Sequence, residues 1–250
     1  MSDVAISWIA FACVFGGALL GMFLRAALLE HHLSPESQEV VNLVMGLISI
    51  MSALVLGLLI AFAKRAYDTQ SNELAQISTD LIVLDRIMTH YGPETQEARD
   101  LLRRLVAAAL DRMWPENRSQ PAPFAPMAGT EVPYDKIVKL SPQHDTQRAL
   151  QAQALGISSN ILRTRWLLGE QRHNAIAMPF LVMLVFWLTV LFVSFGLFAP
   201  SNATVVATLF VGALSVSGAI FLIMDLDQPF EGLIRFSSAP LRDALMHLGQ

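Results

Sequence analysis

Three carboxylates stand close together after the last apolar run of this chain. They are Asp225, Asp227 and Glu231, in the stretch Asp225-Leu-Asp-Gln-Pro-Phe-Glu-Gly232. Carboxylates at a helix C-terminus oppose the macrodipole, so something should compensate them. Arg235, Arg242, Lys64 or Arg65 could do so by ion pairing. A bound cation is the other reading, because calcium takes hard oxygen ligands and two or three carboxylates with backbone carbonyls could supply them. The spacing is not that of an EF-hand. Ca2+ at this acidic turn is the one cofactor the residues suggest.

A second pattern could serve transport. Asn42, Gly46, Ser49, Ala53 and Gly57 recur at spacings of four, three, four and four. On a helix they share one side, small and faintly polar, while Leu, Ile, Val and Met fill the rest. Such a face either packs closely on another helix or lines a water-filled path.

Little else is equipped for chemistry. His31, His32, His90, His144, His173 and His247 are scattered. There is no HExxH, GxSxG, P-loop or dinucleotide fingerprint, so the chain reads as no enzyme. His31 and His32 are adjacent and would point different ways on a helix. Cys13 is the single cysteine, which excludes an internal disulfide framework. The net charge of -4, without a basic patch, gives no indication of nucleic-acid binding.

The elements that must position these residues are mostly membranous. Of 250 residues 54% are hydrophobic and only 15% charged, well under the roughly 25% of a soluble domain. Four apolar stretches account for the deficit: Val4–Leu24, Val41–Lys64, Ile176–Phe198 and Val205–Met224. Each matches the roughly 20 residues a helix needs to cross a bilayer. Gly17 and Gly21 form a GxxxG in the first, a close-packing motif. Thr208, Gly212, Ser215 and Ala219 form a second small stripe, expected to meet the one on the second helix.

That second helix should not end at the membrane. Tyr67, Leu74, Ile77, Leu81, Leu84, Met88 and Tyr91 continue a heptad-like stripe, and Gly92-Pro93 stops it. Glu94–Trp114 is a second amphipathic helix, with apolar Ala98, Leu101, Leu102, Leu105, Ala109 and Met113. Its Arg99, Arg103, Arg104 and Arg112 are expected on a solvated face, paired locally with Glu97, Asp100 and Asp111. Residues 115–133 hold five prolines and read as an extended linker. Ser141-Pro142 opens a third helix by N-cap logic, whose Leu150, Ala154, Ile157, Ile161 and Leu168 pair with the first stripe. Ser238-Ala-Pro240 opens a short amphipathic tail.

The fold class is therefore all-α, a polytopic membrane protein with four transmembrane helices and a helical cytoplasmic domain between the second and third. Its parts are helices one and two in 1–63, the helical domain in 64–175, helices three and four in 176–224, and the acidic turn with a short helix in 225–250. Lys64, Arg65, Arg163, Arg165, Arg172, Arg235 and Arg242 flank one side and Arg25 the other. The positive-inside rule puts both termini in the cytoplasm of a cell whose inner membrane holds the chain.

Asp225-Leu-Asp-Gln-Pro-Phe-Glu-Gly232 with Ser238-Ala-Pro-Leu-Arg-Asp-Ala244 resembles the C-terminal signature of a bacterial family of bestrophin-like membrane proteins. The second membrane helix, Leu84-Asp85-Arg86 through Tyr91-Gly92-Pro93-Glu94, and Leu110-Asp-Arg-Met-Trp-Pro-Glu116 fit it too. Bestrophins are pentameric anion channels, some gated by calcium, with a pore lined mainly by the second membrane helix. The resemblance implies a homo-oligomer, a pentamer on that model, in which Asn42 to Gly57 line the pore and Asp225 to Glu231 lie near a calcium-binding turn. The chain departs at that turn, where Pro229-Phe230 leads to Glu231-Gly232-Leu233-Ile234 and not to an acidic run.

Two functions follow as expectations. One is an oligomeric ion channel, anion-selective by resemblance. The other is a membrane-anchored scaffold whose helical domain, or Pro-rich stretch Gln120–Pro126, binds a cytoplasmic partner. No charged residue lies in the interior of the apolar stretches, so no transporter relay is visible.

Overall fold

A computed structural model describes residues 3–27, 35–114, 131–171, 178–200, 202–227, 232 and 234–249. Every regular element among them is helical. They are α1 (Asp3–Ala27), α2 (Pro35–Tyr91), a 3-10 turn (Pro93–Thr95), α3 (Gln96–Met113), α4 (Glu131–Val138), α5 (Asp145–Gln171), α6 (Met178–Phe198), α7 (Ala203–Asp227) and α8 (Ala239–His247). Four of these, α1, α2, α6 and α7, are long and apolar enough to cross a membrane. The chain forms two compact units, Met1–Ala66 with Ala175–Asp227, and Tyr67–Asn174 with Gln228–Gln250.

The membrane unit is built on a close crossing of α1 and α6. A Cβ on Gly21 would fall on the Val193 carbonyl oxygen, and one on Gly196 on that of Ala18. Gly17 faces Thr189 in the same seam. Glycine is needed at these positions because the two backbones touch. Val14, Ala18, Leu184, Leu188, Leu191, Phe192, Leu209, Ala213 and Ile223 pack around the seam, with Leu59 and Ala63 of α2. At one end the Arg25 guanidinium donates to the Ala199 carbonyl beyond α6, placing a cation where the helix dipole favours one. Asn202 accepts from the Val205 N–H at 2.9 Å and caps α7.

The second unit is a helical core. Ile77, Leu81, Leu84 and Met88 of α2 pack with Leu102 and Val106 of α3, Ile137 of α4, Ala154, Ile161 and Leu168 of α5, and Leu241 and Leu248 near the C-terminus. The apolar stripes read from spacing are therefore the buried faces. α2 is one helix through Tyr91, because neither Gly nor Pro interrupts it between Gly57 and Gly92. Gly92 ends it at φ +135, a conformation that side chains strain to adopt. Thr95 then closes the corner, its hydroxyl donating to the Met88 and Gly92 carbonyls at 2.6 and 2.8 Å.

Three sequence expectations fail here. Pro133 does not exclude a helix, for it lies in the first turn of α4, where its missing N–H has no partner to lose. The third soluble helix starts at Asp145 and not at Ser141-Pro142. The Gln147 side chain accepts from the Gln143 N–H at 2.8 Å and holds the chain in a pre-helical turn. Arg99 is not solvated, since its partner is Asp85. Residues 115–130 of the linker lie outside the described residues.

Tyr91 carries a pH prediction. Its ring is buried, and its hydroxyl has no hydrogen-bond partner among the described residues. Burial, and secondarily the Glu94 carboxylate, push this phenol above its ordinary value. The fold thus favours the neutral phenol. That contribution is complete below about pH 10, the ordinary value, and is lost as pH rises from there through the folded-state value. Tyr91→Phe should change stability at neutral pH by under ~1 kcal/mol and flatten the alkaline loss. Thermal unfolding of the detergent-solubilised protein against pH checks both.

Candidate functional site

The small-residue face of α2 can now be placed. Within the membrane unit, α2 turns Met45, Ile48, Ser52, Val55, Leu56, Leu59 and Ala63 toward its own bundle. Leu43, Leu47, Ile50, Leu54 and Leu58 are exposed on roughly the opposite side, as suits lipid contact. Asn42, Gly46, Ser49, Ala53 and Gly57 form a third strip between these two. Ser49 is half-buried and the other four are exposed. Among the described residues, nothing lies within 4 Å of a Cβ built on Gly46 or Gly57.

The strip is therefore small without being packed. Within one chain it does not meet the stripe on α7 at either glycine. Gly212 of that second stripe faces the Phe192 ring of α6 instead. Only 11% of the most apolar window of α2 is buried, against 28, 39 and 28% for α1, α6 and α7. Of the four, α2 leaves most of its surface for something outside the chain. At its N-terminal end Asn42, with Gln38, Glu39 and Leu43, borders an open hollow.

The acidic residues are arranged differently from a turn. Asp225 and Asp227 belong to the last turn of α7, which runs three residues beyond Met224. Two residues apart on a helix, their side chains leave on different sides and do not converge. Asp225 is buried and Asp227 half-buried, and Glu231 lies outside the described residues. Among the described residues no three His, Cys, Asp or Glu side chains gather at metal-binding range. The pair as folded thus does not fit a shared calcium ligand set. His31 and His32 also lie outside the described residues.

The residues that sequence reasoning missed are Asp85 and Arg99. Arg99 donates through Nε to Asp85 Oδ1 at 2.8 Å and through Nη2 to Oδ2 at 2.9 Å, a bidentate pair. The side chains are 2% and 11% exposed. The Gly249 N–H adds a third donor to Asp85 Oδ2 at 3.2 Å. The carboxylate holds the Arg99 guanidinium above its ordinary value. A sequence signal existed, because Asp85 stands four residues after Leu81 and so on the buried side of the heptad stripe.

This unit also brings together segments from distant parts of the sequence. Leu84-Asp85-Arg86 meets the C-terminal segment through Gly249. Trp114 donates from its indole N–H to the Phe236 carbonyl at 3.0 Å. The Tyr67 and Phe236 rings lie 4.7 Å apart. A family model described as the Bestrophin-like domain matches residues 12–241. No curated protein and no solved structure matches the chain.

Proposed function

The chain belongs to the Bestrophin-like domain family, and from that premise we propose that it forms a homo-oligomeric ion channel whose pore is lined by the small-residue face of α2. The observation that carries this reading is the open strip from Asn42 to Gly57, with no atom of the described residues within 4 Å of a Cβ built on either glycine. Facing lipid, small residues would leave a shallow groove that acyl chains fill poorly. Facing a symmetry axis, they let helices approach and leave room for water. One four-helix chain cannot enclose a pore, so a closed ring is required. Pentamer number and anion selectivity come from the resemblance to bestrophins. The positive-inside rule supports an inner-membrane protein with both termini in the cytoplasm.

Two measurements test this. Native mass spectrometry of the purified protein should give a defined ring, near five times 27.5 kDa. In liposomes, Ala53→Trp or Ser49→Trp should lower ion flux about tenfold or more, because an indole blocks a narrow path. Full flux through either variant rejects the lining. A persistent monomer without flux turns the reading to a membrane-anchored scaffold acting through its second unit.

A further inference from the structure

Residues 236–249 belong to the second unit but follow α6 and α7 in sequence. They sit on it as a bound peptide helix would. Leu241, Ala244 and Leu248 stand at i, i+3 and i+7 and are 3, 0 and 2% exposed. That spacing puts all three on one side of α8, the anchor pattern of a helix laid into an apolar groove. Arg242, Asp243, Met246 and His247 stay exposed. Leu241 and Leu248 enter the apolar core with Leu102 and Val106, and α8 packs on α3. Upstream, Phe236 is buried, stacked near the Tyr67 ring and held through its carbonyl by Trp114.

Two observations set this segment apart from the rest of its unit. The other described members of the buried core all come from the continuous run α2 to α5, so most of that core exists without it. α8 also has little order of its own. It spans nine residues, short of the roughly 12–15 that an isolated helix needs in water. Ser238 stands at its N-cap without a side-chain cap bond, which forgoes a local support. Its helical form therefore depends on its seat. Gly249 follows at φ +87, where side chains are strained. In that conformation its N–H reaches Asp85 Oδ2 at 3.2 Å.

We infer that residues 236–249 form a releasable clasp, a helical ligand carried by the same chain. The clasp opens as one piece while α2 to α5 stay folded, because few of its side chains are buried and they act together. Opening uncovers an apolar seat on α3 and removes the Gly249 donor from Asp85. The same sequence supplied as a separate peptide fills the uncovered seat. The clasp is independent of whether the protein conducts.

The test uses the full chain in detergent and begins with hydrogen exchange. Residues 236–249 should exchange together, about tenfold or more faster than the buried stretches of α3 and α5. Exchange at the rate of those stretches overturns the clasp. A fluorescent peptide with the sequence of residues 236–250 is then titrated in and its anisotropy followed. Leu241→Asp/Leu248→Asp in the protein should empty the seat, so that this variant binds the peptide about tenfold or more tighter than the parent, whose seat is filled. A peptide carrying Leu241→Asp should bind neither. Equal binding by parent and variant overturns the proposal, as does no binding by a variant whose α3 and α5 keep their protection. Loss of protection throughout the unit in that variant also overturns it, since the segment is then part of one indivisible core. Gly249→Ala leaves every apolar anchor in place. It should speed exchange in 236–249 alone by about fivefold or more, the strain of the left-handed conformation; unchanged exchange counts against the clasp.

Discussion

Gly21→Ala should destabilise the membrane unit by about 1–3 kcal/mol, the range of overpacking, and Gly196→Ala should do the same. The new methyl on Gly21 has no room, for besides the Val193 oxygen it would lie 2.9 Å from Leu197 N. On Gly196 it would lie 3.0 Å from Met22 N. These are backbone atoms, which cannot swing aside as a flexible side chain can. The helices must separate, and every contact along the seam weakens with them. Gly16→Ala is the control, since among the described residues nothing lies within 4 Å of a Cβ at that position. Thermal unfolding in one detergent should show a clear drop for Gly21→Ala and Gly196→Ala and none for Gly16→Ala. Equal melting of all three would mean that α1 and α6 do not cross this closely. Gly46→Ala and Gly57→Ala extend the series. They should leave the folding of one chain unchanged, and under the channel reading they should alter flux or ring mass alone.

Asp85→Ala should cost about 3–5 kcal/mol, the range for breaking a buried pair by removing one partner. The loss exceeds that of a surface ion pair because the Arg99 guanidinium, only 11% exposed, loses both acceptors of its bidentate bond where little water can replace them. Asp85→Asn keeps the shape but loses the charge and one acceptor, and should fall between Ala and wild type. Arg99→Lys should also weaken the pair, because an ammonium cannot donate in the planar fork that meets both oxygens. The double variant Asp85→Leu/Arg99→Met should be milder than Asp85→Ala, since the guanidinium is removed together with the carboxylate it donates to. Gly249 provides a local readout. Its N–H depends on Asp85, so hydrogen exchange across 239–249 should rise in Asp85→Asn while exchange in α6 does not change. An unchanged C-terminal segment would show that Leu241, Ala244 and Leu248 hold it by packing alone.

Much of this architecture was legible before any coordinates. Four apolar runs of membrane length declare themselves because a helix must cover the hydrocarbon with apolar side chains. The unbroken α2 follows from the absence of Gly and Pro between Gly57 and Gly92, and its end follows from Gly92-Pro93. The buried stripes of the second unit follow from heptad-like spacing. The Gly17–Gly21 motif announced a close crossing but not its partner. Spacing assigns a residue its angle around its own helix; it does not say which neighbour stands at that angle.

That limit accounts for what only the tertiary structure decided. The second helix had an evident small face, yet its own bundle chose the adjacent face from Met45 to Ala63 and left the small one open. Two small stripes of similar spacing looked made for each other, but Gly212 went to Phe192. Asp225 and Asp227 read as a turn because carboxylates are unfavourable at a helix C-terminus, and α7 nevertheless carried its helix through both. Arg99 stood among arginines expected in solvent until the corner at Gly92 brought it back to Asp85, fourteen residues earlier. Periodicity along one chain determined the helices and their apolar faces. Packing between segments far apart in sequence determined the pairings, since the energy of a crossing or a buried ion pair exists only once both partners are in place.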